Sequence, residues 1–253
     1  MPQVHDIYAF LQELAPLELQ MDYDNSGFQL GSLCAEVTTV LLALDITDAV
    51  IEEAFEQGAE LIVSHHPLIW ESLRCVSEEN APKLMRLIEK HISVISMHTN
   101  LDIAEGGVND VLLRLLGPEP LEPLDGFGCG RIGEYDVPVS MGDFLALCRN
   151  KLNTRGLRFY DAGKPVRRLA VMGGSGGSEL KTAIAKGCDT YLTADIKYNQ
   201  FLEAAEYGLN LIDGDHFCTE NPIIASLAGR LADAFPQMRV LCSKRHGQVV
   251  SFF

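Results

Sequence analysis

The sequence predicts an α/β protein of two similar lobes related by pseudo-symmetry. Apolar runs rich in β-branched residues alternate with helical stretches, which is typical of β-α-β units with parallel strands. Residues 54–64 resemble residues 183–193, and both copies run from a helix through a glycine into a strand. Each copy is followed by a helix, a second strand, and a histidine that stands four residues before an acid, at His98 and His216. We expect the two lobes to face each other across a common cleft.

The first half of the chain is predicted to contain a parallel sheet with its connecting helices. An amphipathic helix is expected over residues 4–15, and the polar loop 21–31 leads into a short strand. Thr47 or Asp48 can cap the next helix, and Gly58 can end it. The further elements are expected at residues 38–44 (strand), 47–57 (helix), 61–64 (strand), 82–90 (helix), 92–97 (strand) and 108–116 (helix).

A segment rich in proline and glycine, residues 117–130, is the predicted domain boundary. We expect one lobe over residues 1–125 and the other over residues 126–253, and the C-terminal end of the chain could pack onto the first lobe. The second lobe is expected to contain strands at 131–135, 157–160, 168–172, 190–193, 210–212, 239–242 and 248–252, and helices at 141–152, 179–186 and 222–234 with a fourth ending near residue 207.

Composition and charge restrict the function classes. With 253 residues, of which 47% are hydrophobic, the chain can bury a sizeable core. Its formal net charge of -15 argues against a protein that binds nucleic acid by neutralising phosphates, and against an anionic membrane surface. Nucleic acid and membranes are therefore not expected partners, although a local basic patch is compatible with this charge.

Cysteine usage and the apolar runs indicate the cytoplasm. Seven cysteines are scattered without a Cys-x-x-Cys pair, as expected of reduced thiols rather than a disulfide framework. The first residues lack the basic region and apolar core of a signal peptide, and no apolar run is long enough to cross a bilayer. We expect a soluble cytoplasmic protein.

Two adjacent histidines at the end of a predicted strand form a candidate metal site. The strand at 61–64 ends in His65 and His66, and Pro67 then interrupts the ladder because it has no N–H group. Neighbouring side chains on a regular strand point to opposite faces, so both histidines can serve one site only where the strand breaks into a loop. Strand ends of this kind carry the ligand sites of α/β proteins.

Further ligands are predicted at other strand ends. The candidate metal ligands are His65, His66, Asp102, His216 and Glu220. Mixed imidazole and carboxylate ligands suit Zn, Mn, Fe or similar divalent cations. Five groups exceed the need of one tetrahedral metal, and a carboxylate can bridge, so two cations are expected. The alternative is that these histidines are ordinary polar residues at strand ends.

His98 is the candidate for a proton-transfer role. It stands four residues before Asp102 and could orient a ligand or move a proton, or it could be a hydrogen-bonded core histidine. Asp24 and Asn25 could line the same cleft, or they could only form a turn. Both alternatives stay open for each residue.

The glycine-rich stretch at residues 173–177 has two interpretations. Between a strand and a helix, it could present backbone N–H groups to an anion, or it could be a plain tight turn. It lacks the Lys-Ser/Thr of a P-loop and matches Gly-x-Gly-x-x-Gly poorly. Asp195, Lys197 and Tyr198 follow at the corresponding place in the repeat, where they could contact a substrate or only cover the edge of the cleft.

Seven motifs in order along the chain resemble a known family. They are Asp-Asn-Ser-Gly at 24–27, Ser-His-His-Pro-Leu at 64–68, His-Thr-Asn-Leu-Asp at 98–102, Gly-Gly-Val-Asn-Asp at 106–110, Gly-Cys-Gly-Arg-Ile-Gly at 128–133, Gly-Gly-Ser-Gly at 173–176 and Asp-His-Phe-Cys-Thr-Glu at 215–220. Together they resemble the Nif-three-like family of dinuclear-metal proteins, also called GTP cyclohydrolase 1 type 2 homologues. The length resembles the short form, which lacks the domain inserted in longer members.

The resemblance implies two similar lobes with a dimetal site between them, and assembly into a toroidal homohexamer. By motif match, the five metal ligands carry over to the positions proposed above, with two divalent cations per chain. The chain departs from many relatives at Asn199, where they have a histidine.

The expected activity is that of a dinuclear-metal-dependent hydrolase. A metal-activated water would attack GTP at C8 of the purine, or another nucleotide or phosphoester, and His98 would carry the proton. The alternative is a non-catalytic metal-binding scaffold or regulatory ring protein. The substrate and the metal are not distinguished by the sequence.

Overall fold

The computed structural model describes residues 1–251, which form two compact units. The first unit consists of Met1–Ala104 and Ile224–Gly247, and the second of Glu105–Ile223 with residues 248–251. Each unit has its own sheet, of five strands in the first and six in the second. This mixed architecture confirms the predicted α/β class.

Helices and strands alternate along most of the described chain. The α-helices are α1 (Val4–Leu14), α2 (Asp48–Glu56), α3 (Pro82–Glu89), α4 (Thr99–Ile103), α5 (Val108–Leu115), α6 (Met141–Lys151), α7 (Leu180–Ala185), α8 (Tyr198–Tyr207), α9 (His216–Glu220) and α10 (Pro222–Ala234). The strands are β1 (Gly27–Leu30), β2 (Thr39–Ala43), β3 (Leu61–Ser64), β4 (Ser93–Ser96), β5 (Glu122–Pro123), β6 (Arg131–Val139), β7 (Arg158–Tyr160), β8 (Val166–Val171), β9 (Thr190–Thr193), β10 (Asn210–Asp213) and β11 (Arg239–Cys242). Within residues 1–251, no helix has the length and apolar character needed to cross a bilayer.

The two sheets share a common order of four strands. In the first sheet, β1 pairs antiparallel with β4, and β4, β3 and β2 are parallel neighbours. In the second sheet, β7 pairs antiparallel with β10, and β10, β9 and β8 are parallel neighbours. The α2–β3 and α7–β9 segments carry the repeated sequence and occupy matching places in this order. The common order is consistent with the internal repeat.

The first sheet brings two strand ends to the same edge. Every residue of β2, β3 and β4 is buried, as expected of parallel strands that are covered on both faces. Helix α2 begins at a cap in which the Thr47 hydroxyl accepts a hydrogen bond from the Val50 backbone N–H. At the carboxyl edge, Ser64 of β3 and Ser96 of β4 are paired in register, with their hydroxyls 2.8 Å apart. The segments that carry the histidines leave the sheet from this edge.

The second sheet divides its core residues between two faces. Leu192 and Ile212 lie in the hydrophobic cluster that includes α5 and α6 residues. The preceding residues, Tyr191 and Leu211, lie in the cluster that includes α7 and α8 residues. Because successive strand residues point to opposite faces, helices cover both sides of this sheet.

A buried ion pair joins two glycine-containing motifs of the second unit. The Arg131 Nε donates to Asp110 Oδ1, and Arg131 Nη1 donates to the carbonyl oxygens of Gly128 and Gly130 at 2.7 and 2.8 Å. The Gly106 backbone N–H donates to the other Asp110 oxygen at 2.7 Å. A buried charge pair must be hydrogen-bonded in this way to offset its desolvation. These motif residues therefore hold α5 against the start of β6.

Two short helices that the sequence did not predict follow strands. Helix α4 follows β4, and helix α9 follows β10, with two residues between strand and helix in each case. Helix α9 is capped by Asp215, whose side chain accepts a hydrogen bond from the Cys218 backbone N–H at 3.1 Å. The helical conformation places residues four apart on one face of each helix.

The C-terminal end differs from the expectation of a last strand at 248–252. Residues 248–251 are in no strand, and Phe252 lies outside the described residues. The prediction relied on the apolar side chains, but Val249 is 91% exposed and buries no face against a neighbouring strand.

Candidate functional site

His65 and His66 follow directly after β3, where the backbone leaves the sheet. Their backbone N–H groups still donate to the carbonyl oxygens of Ala43 and Leu44, at 3.3 and 2.9 Å. His65 is fully buried and His66 is partly buried, and their ring centroids are 5.0 Å apart. The end of the strand therefore brings two adjacent imidazoles close together, which a regular strand would not do.

A third imidazole, that of His98, completes a histidine cluster in the first unit. The His98 ring lies 5.2 Å from the His65 ring and 5.6 Å from the His66 ring, between centroids. One ring nitrogen of each lies within 4.8 Å of the others, so the cluster could hold a metal ion. Asp102 stands one helical turn after His98, and its Oδ1 lies 3.6 Å from His65 Nε2. The first unit thus gathers four of the predicted site residues.

The hydrogen bond of His65 fixes which of its nitrogens can bind a cation. His65 Nδ1 lies 2.8 Å from the backbone oxygen of Met97. A carbonyl oxygen only accepts, so Nδ1 carries the hydrogen and Nε2 of the neutral ring keeps its lone pair. This tautomer is assigned from the hydrogen bond to Met97. In it, the nitrogen without a hydrogen, Nε2, is the one that faces Asp102.

Carboxylates hold the other two rings of the cluster. His66 Nδ1 lies 2.7 Å from Asp45 Oδ1, and His98 Nδ1 lies 2.8 Å from Asp24 Oδ1. Each aspartate can accept the Nδ1 hydrogen and orient its ring, as carboxylates do behind the histidine ligands of metal sites. All three imidazoles are therefore fixed through Nδ1.

Asp24 is the centre of a polar network around His98. It accepts hydrogen bonds from the Ser26 hydroxyl at 2.8 Å and from the Thr99 backbone N–H at 3.0 Å. The Thr99 hydroxyl donates a third hydrogen bond to the same carboxylate. Burial opposes ionisation of this carboxyl, but the hydrogen bonds from His98 and Thr99 outweigh it and hold the pKa of Asp24 well below its usual range. A permanently charged Asp24 stabilises a hydrogen on His98 Nδ1.

In the second unit, His216 and Glu220 lie one turn apart on α9. His216 Nε2 is 3.2 Å from Glu220 Oε2, and His216 Nδ1 is 2.7 Å from Asp195 Oδ2. The hydrogen bond with Glu220, assisted by Asp195 and opposed by burial, raises the pKa of His216 to about 9. An aspartate therefore contacts Nδ1 of this ring, as in His66 and His98, and the Glu220 carboxylate lies beside its Nε2.

Backbone strain accompanies this second group. Asp195 and Asp215 have positive φ angles of 54° and 73°, a region that non-glycine residues rarely adopt. Such conformations persist only where surrounding contacts enforce them, and they concentrate at functional sites. Here the strained residues are the partner of His216 Nδ1 and the N-cap of its helix.

The glycine-rich turn makes room for Glu220. A Cβ atom on Gly174 would lie 2.1 Å from Glu220 Oε1, and the φ angle of Gly174 is +64°. The N–H groups of Gly173, Gly174 and Gly176 donate to the side chains of Asn109, Thr219 and Thr193 at 2.8–3.0 Å. Because these donors are used within the protein, the structure favours the tight turn over the anion cradle.

Comparison with known proteins assigns the chain to a family. Residues 2–247 match the family described as Duf34/NIF3 (NGG1p interacting factor 3). The chain belongs to this family. Over 249 residues it is 36% identical to a Campylobacter jejuni protein named GTP cyclohydrolase 1 type 2 homolog, covering 96% of this chain and 97% of that protein. The assignment confirms the resemblance inferred from the motifs.

Solved structures of the NIF3 family have the same fold. A hypothetical protein of Staphylococcus aureus matches with a TM-score of 0.92 and 28% identity, covering 100% of this chain and 99% of that one. A Bacillus cereus protein related to NIF3 matches with a TM-score of 0.91 and 24% identity, with the same coverage. The two sheets described here are therefore a feature shared with these NIF3-type structures.

The residues of this NIF3 chain fit divalent cations. In each unit, imidazole nitrogens and carboxylate oxygens approach each other closely, as in the His65–Asp102 and His216–Glu220 pairs. Such a donor set suits first-row cations, and the rings of His65, His66 and His216 are held at Nδ1, so that Nε2 would be their ligand atom. The histidine and glutamate groups could thus hold a metal ion.

Sequence reasoning missed two residues that orient the rings. Asp45 was expected only to end a strand, and Asp195 was expected to contact a substrate or cover an edge. Both stand just after a parallel strand, β2 and β9, so a search for carboxylates at strand ends would have found them. Lys197 is the N-cap of α8 and Tyr198 is its exposed first residue. Their suggested role at the edge of a cleft stays a prediction.

Proposed function

We propose that the protein is a dinuclear-metal-dependent hydrolase that acts on GTP or on another nucleotide or phosphoester. The observation that carries this proposal is the histidine cluster of His65, His66 and His98, whose three rings are all fixed through Nδ1. Fixing rings in one orientation costs conformational entropy, and a metal ligand benefits from it because its lone pair is then directed in advance.

The proposed ligands come from both units. They are His65, His66, Asp102, His216 and Glu220. Helix α9 offers one imidazole and one carboxylate, fewer protein ligands than divalent first-row cations usually take. We therefore propose that these five residues are the ligands of two divalent cations per chain, as the family resemblance implies.

His98 is proposed to carry the proton rather than to bind metal. When bound, divalent cations supply Lewis acidity and make water a better nucleophile at neutral pH. With Nδ1 held by the charged Asp24, His98 can exchange a proton at Nε2 without changing its orientation.

The nucleotide substrate class is supported by the relatives. The Campylobacter jejuni relative is named as a homolog of GTP cyclohydrolase 1 type 2. Hydrolysis would then begin at C8 of the purine, and a phosphoester is the second substrate class that metal-assisted attack allows. A polynucleotide substrate is disfavoured. Bound cations could neutralise only a few of its phosphates, and the net charge of -15 would repel the others.

We also propose a ring-shaped assembly and a cytoplasmic location. The family resemblance supports a ring-shaped homohexamer, and the scattered cysteines support the cytoplasm. The alternative function is a metal-binding scaffold or regulatory ring without turnover. The same ligand geometry would serve it, so only activity measurements separate the two functions.

The test compares the wild type with His65→Ala after loading with Mn²⁺ or Zn²⁺. We expect about two bound cations per wild-type chain, and metal-dependent turnover of GTP or of a generic phosphodiester. His65→Ala should lose both properties, whereas His5→Ala, which removes an exposed histidine on α1, should retain them. Activity without metal in His65→Ala would exclude the hydrolase proposal, and stoichiometric metal without turnover of any nucleotide would favour the scaffold.

A further inference from the structure

The single tryptophan of the chain lies against the histidine cluster. The Trp70 ring centroid is 5.0 Å from that of His98, with the two planes at 83°, and 6.5 Å from that of His66 at 39°. The residue is nevertheless 53% exposed. One side of the indole is therefore used in an edge-to-face contact within the site, and a large part of the ring surface faces solvent.

Side chains of the loop before β1 and of β1 itself fix the backbone beside Trp70. The Ile69 carbonyl oxygen accepts a hydrogen bond from Asn25 Nδ2 at 2.7 Å, and the Ile69 N–H donates to Gln29 Oε1 at 3.2 Å. Gln29 Nε2 in turn donates to the Asn25 carbonyl oxygen at 2.6 Å. The same loop carries Asp24, which holds His98. One set of contacts thus positions both the indole and the imidazole beside it.

We propose that Trp70 is the stacking subsite for a planar heteroaromatic ring, of the kind found in a nucleobase. This inference rests on the proposed function and names the part of the substrate that this unit recognises. Offset stacking on an indole places ring centroids about 4.5–7 Å apart. The imidazoles of His98 and His66, whose ring centroids lie 5.0 and 6.5 Å from that of Trp70, are the neighbours of this subsite.

The chemistry of the surroundings favours a flat ring over a sugar or a phosphate. Indole offers an apolar, polarisable face that binds any base by stacking, with little preference for its hydrogen-bonding pattern. Specificity would then come from polar groups near the edge of the bound base. His98 and His66, whose rings lie beside Trp70, are the candidates for this role. Binding of a base to Trp70 would cost little conformational entropy of the protein, because the backbone beside the indole is already ordered.

The test uses Trp70 as the only indole fluorophore of the protein. Full-length protein loaded with Zn²⁺ is titrated with guanosine and adenosine, and with ribose 5-phosphate as the probe that lacks a base. We expect saturable quenching of the indole emission by both nucleosides and none by ribose 5-phosphate. The proposal would be wrong if ribose 5-phosphate quenched the emission as much as the nucleosides, or if none of the three probes quenched it.

Two variants make the test independent of fluorescence. By calorimetry, Trp70→Ala should weaken guanosine binding by about tenfold or more, and Trp70→Phe, which keeps an aromatic face, should weaken it much less. Equal affinity of Trp70→Ala and the wild type would contradict the proposal. A change in oligomeric mass for both variants, without a change in guanosine affinity, would instead show that Trp70 packs against another copy of the chain.

Metal content separates this inference from the hydrolase proposal. If wild-type protein binds its cations and turns over a phosphodiester but Trp70→Ala binds guanosine normally, the subsite fails and the hydrolase proposal stands. If nucleosides quench Trp70 in the wild type and the protein binds no cations, the subsite stands and the hydrolase proposal fails.

Discussion

The Nδ1 atom of His66 lies 2.7 Å from Oδ1 of Asp45, so the second residue after β2 orients the imidazole that follows β3. Asp45 is half exposed at its side chain, and its contact with His66 costs little desolvation. The pair belongs to a recurring pattern, since Asp24 and Asp195 hold His98 and His216 in the same way.

We predict that Asp45→Asn lowers the affinity for metal without unfolding the protein. Loss of the negative charge weakens the hydrogen bond that orients His66 and makes its Nε2 a poorer ligand, which typically costs about 10–100-fold in metal affinity. Competition with a chromophoric chelator measures this change. Asp48→Asn is the control, because Asp48 lies on α2 and pairs with Arg86 rather than with a histidine. Equal loss in both variants would contradict the orienting role.

Gly174→Ala should disrupt the second ligand group. The added Cβ would lie 2.1 Å from Glu220 Oε1 and would force this carboxylate away from His216. Gly163→Ala is a matched control, since Gly163 has a φ angle of +74° and open space around its Cβ position. Both variants should lose about 1–2 kcal/mol of unfolding free energy from backbone strain, measured by urea unfolding. Only Gly174→Ala should also lose bound metal, and metal retention there would refute the packing argument.

Local patterns were sufficient to predict the strand that ends in His65 and His66, because an apolar run stopped by a proline needs no tertiary information. The same holds for α2, where Thr47 caps and a glycine follows. The contacts of Asp45 and Asp24 were missed because they join residues 21 and 74 positions apart. Helices α4 and α9 were also missed, since each is only about one turn long and isolated helices of this length are not stable by themselves.

Glu53 should make stability depend on pH. Burial opposes ionisation of this carboxyl, but hydrogen bonds from the Ser243 hydroxyl and the backbone N–H groups of Lys244 and Arg245 lower its pKa below the ordinary 4.5. Because the folded pKa is the lower one, the stabilisation is complete above the unfolded pKa and disappears as the pH falls through the folded value. The carboxylate therefore ties residues 243–245 to α2 at neutral pH.

We predict that Glu53→Gln lowers the free energy of unfolding by about 1–3 kcal/mol at pH 7, because three donors lose their charged acceptor. The difference from the wild type should shrink as the pH falls below 4.5, in urea unfolding measured across the acid range. Glu56→Gln is the control, since its exposed pair with Arg245 should contribute little. A difference that stays constant with pH would show that the charge of Glu53 is not the cause.

His98→Asn should separate the two roles open to His98. An asparagine amide can still donate to Asp24 from a position near that of Nδ1, but it has no group in the place of Nε2. If His98 carries a proton and is not a ligand, the variant should keep its bound cations and lose about 10²–10⁴-fold in kcat. Metal content is measured on the same samples by elemental analysis.

Loss of a cation in His98→Asn would identify His98 as a ligand, which its place within 4.8 Å of the ligand atoms of His65 and His66 allows. Retention of both metal and turnover would mean that the proton leaves by another route, and that Asp24 orients His98 for packing alone.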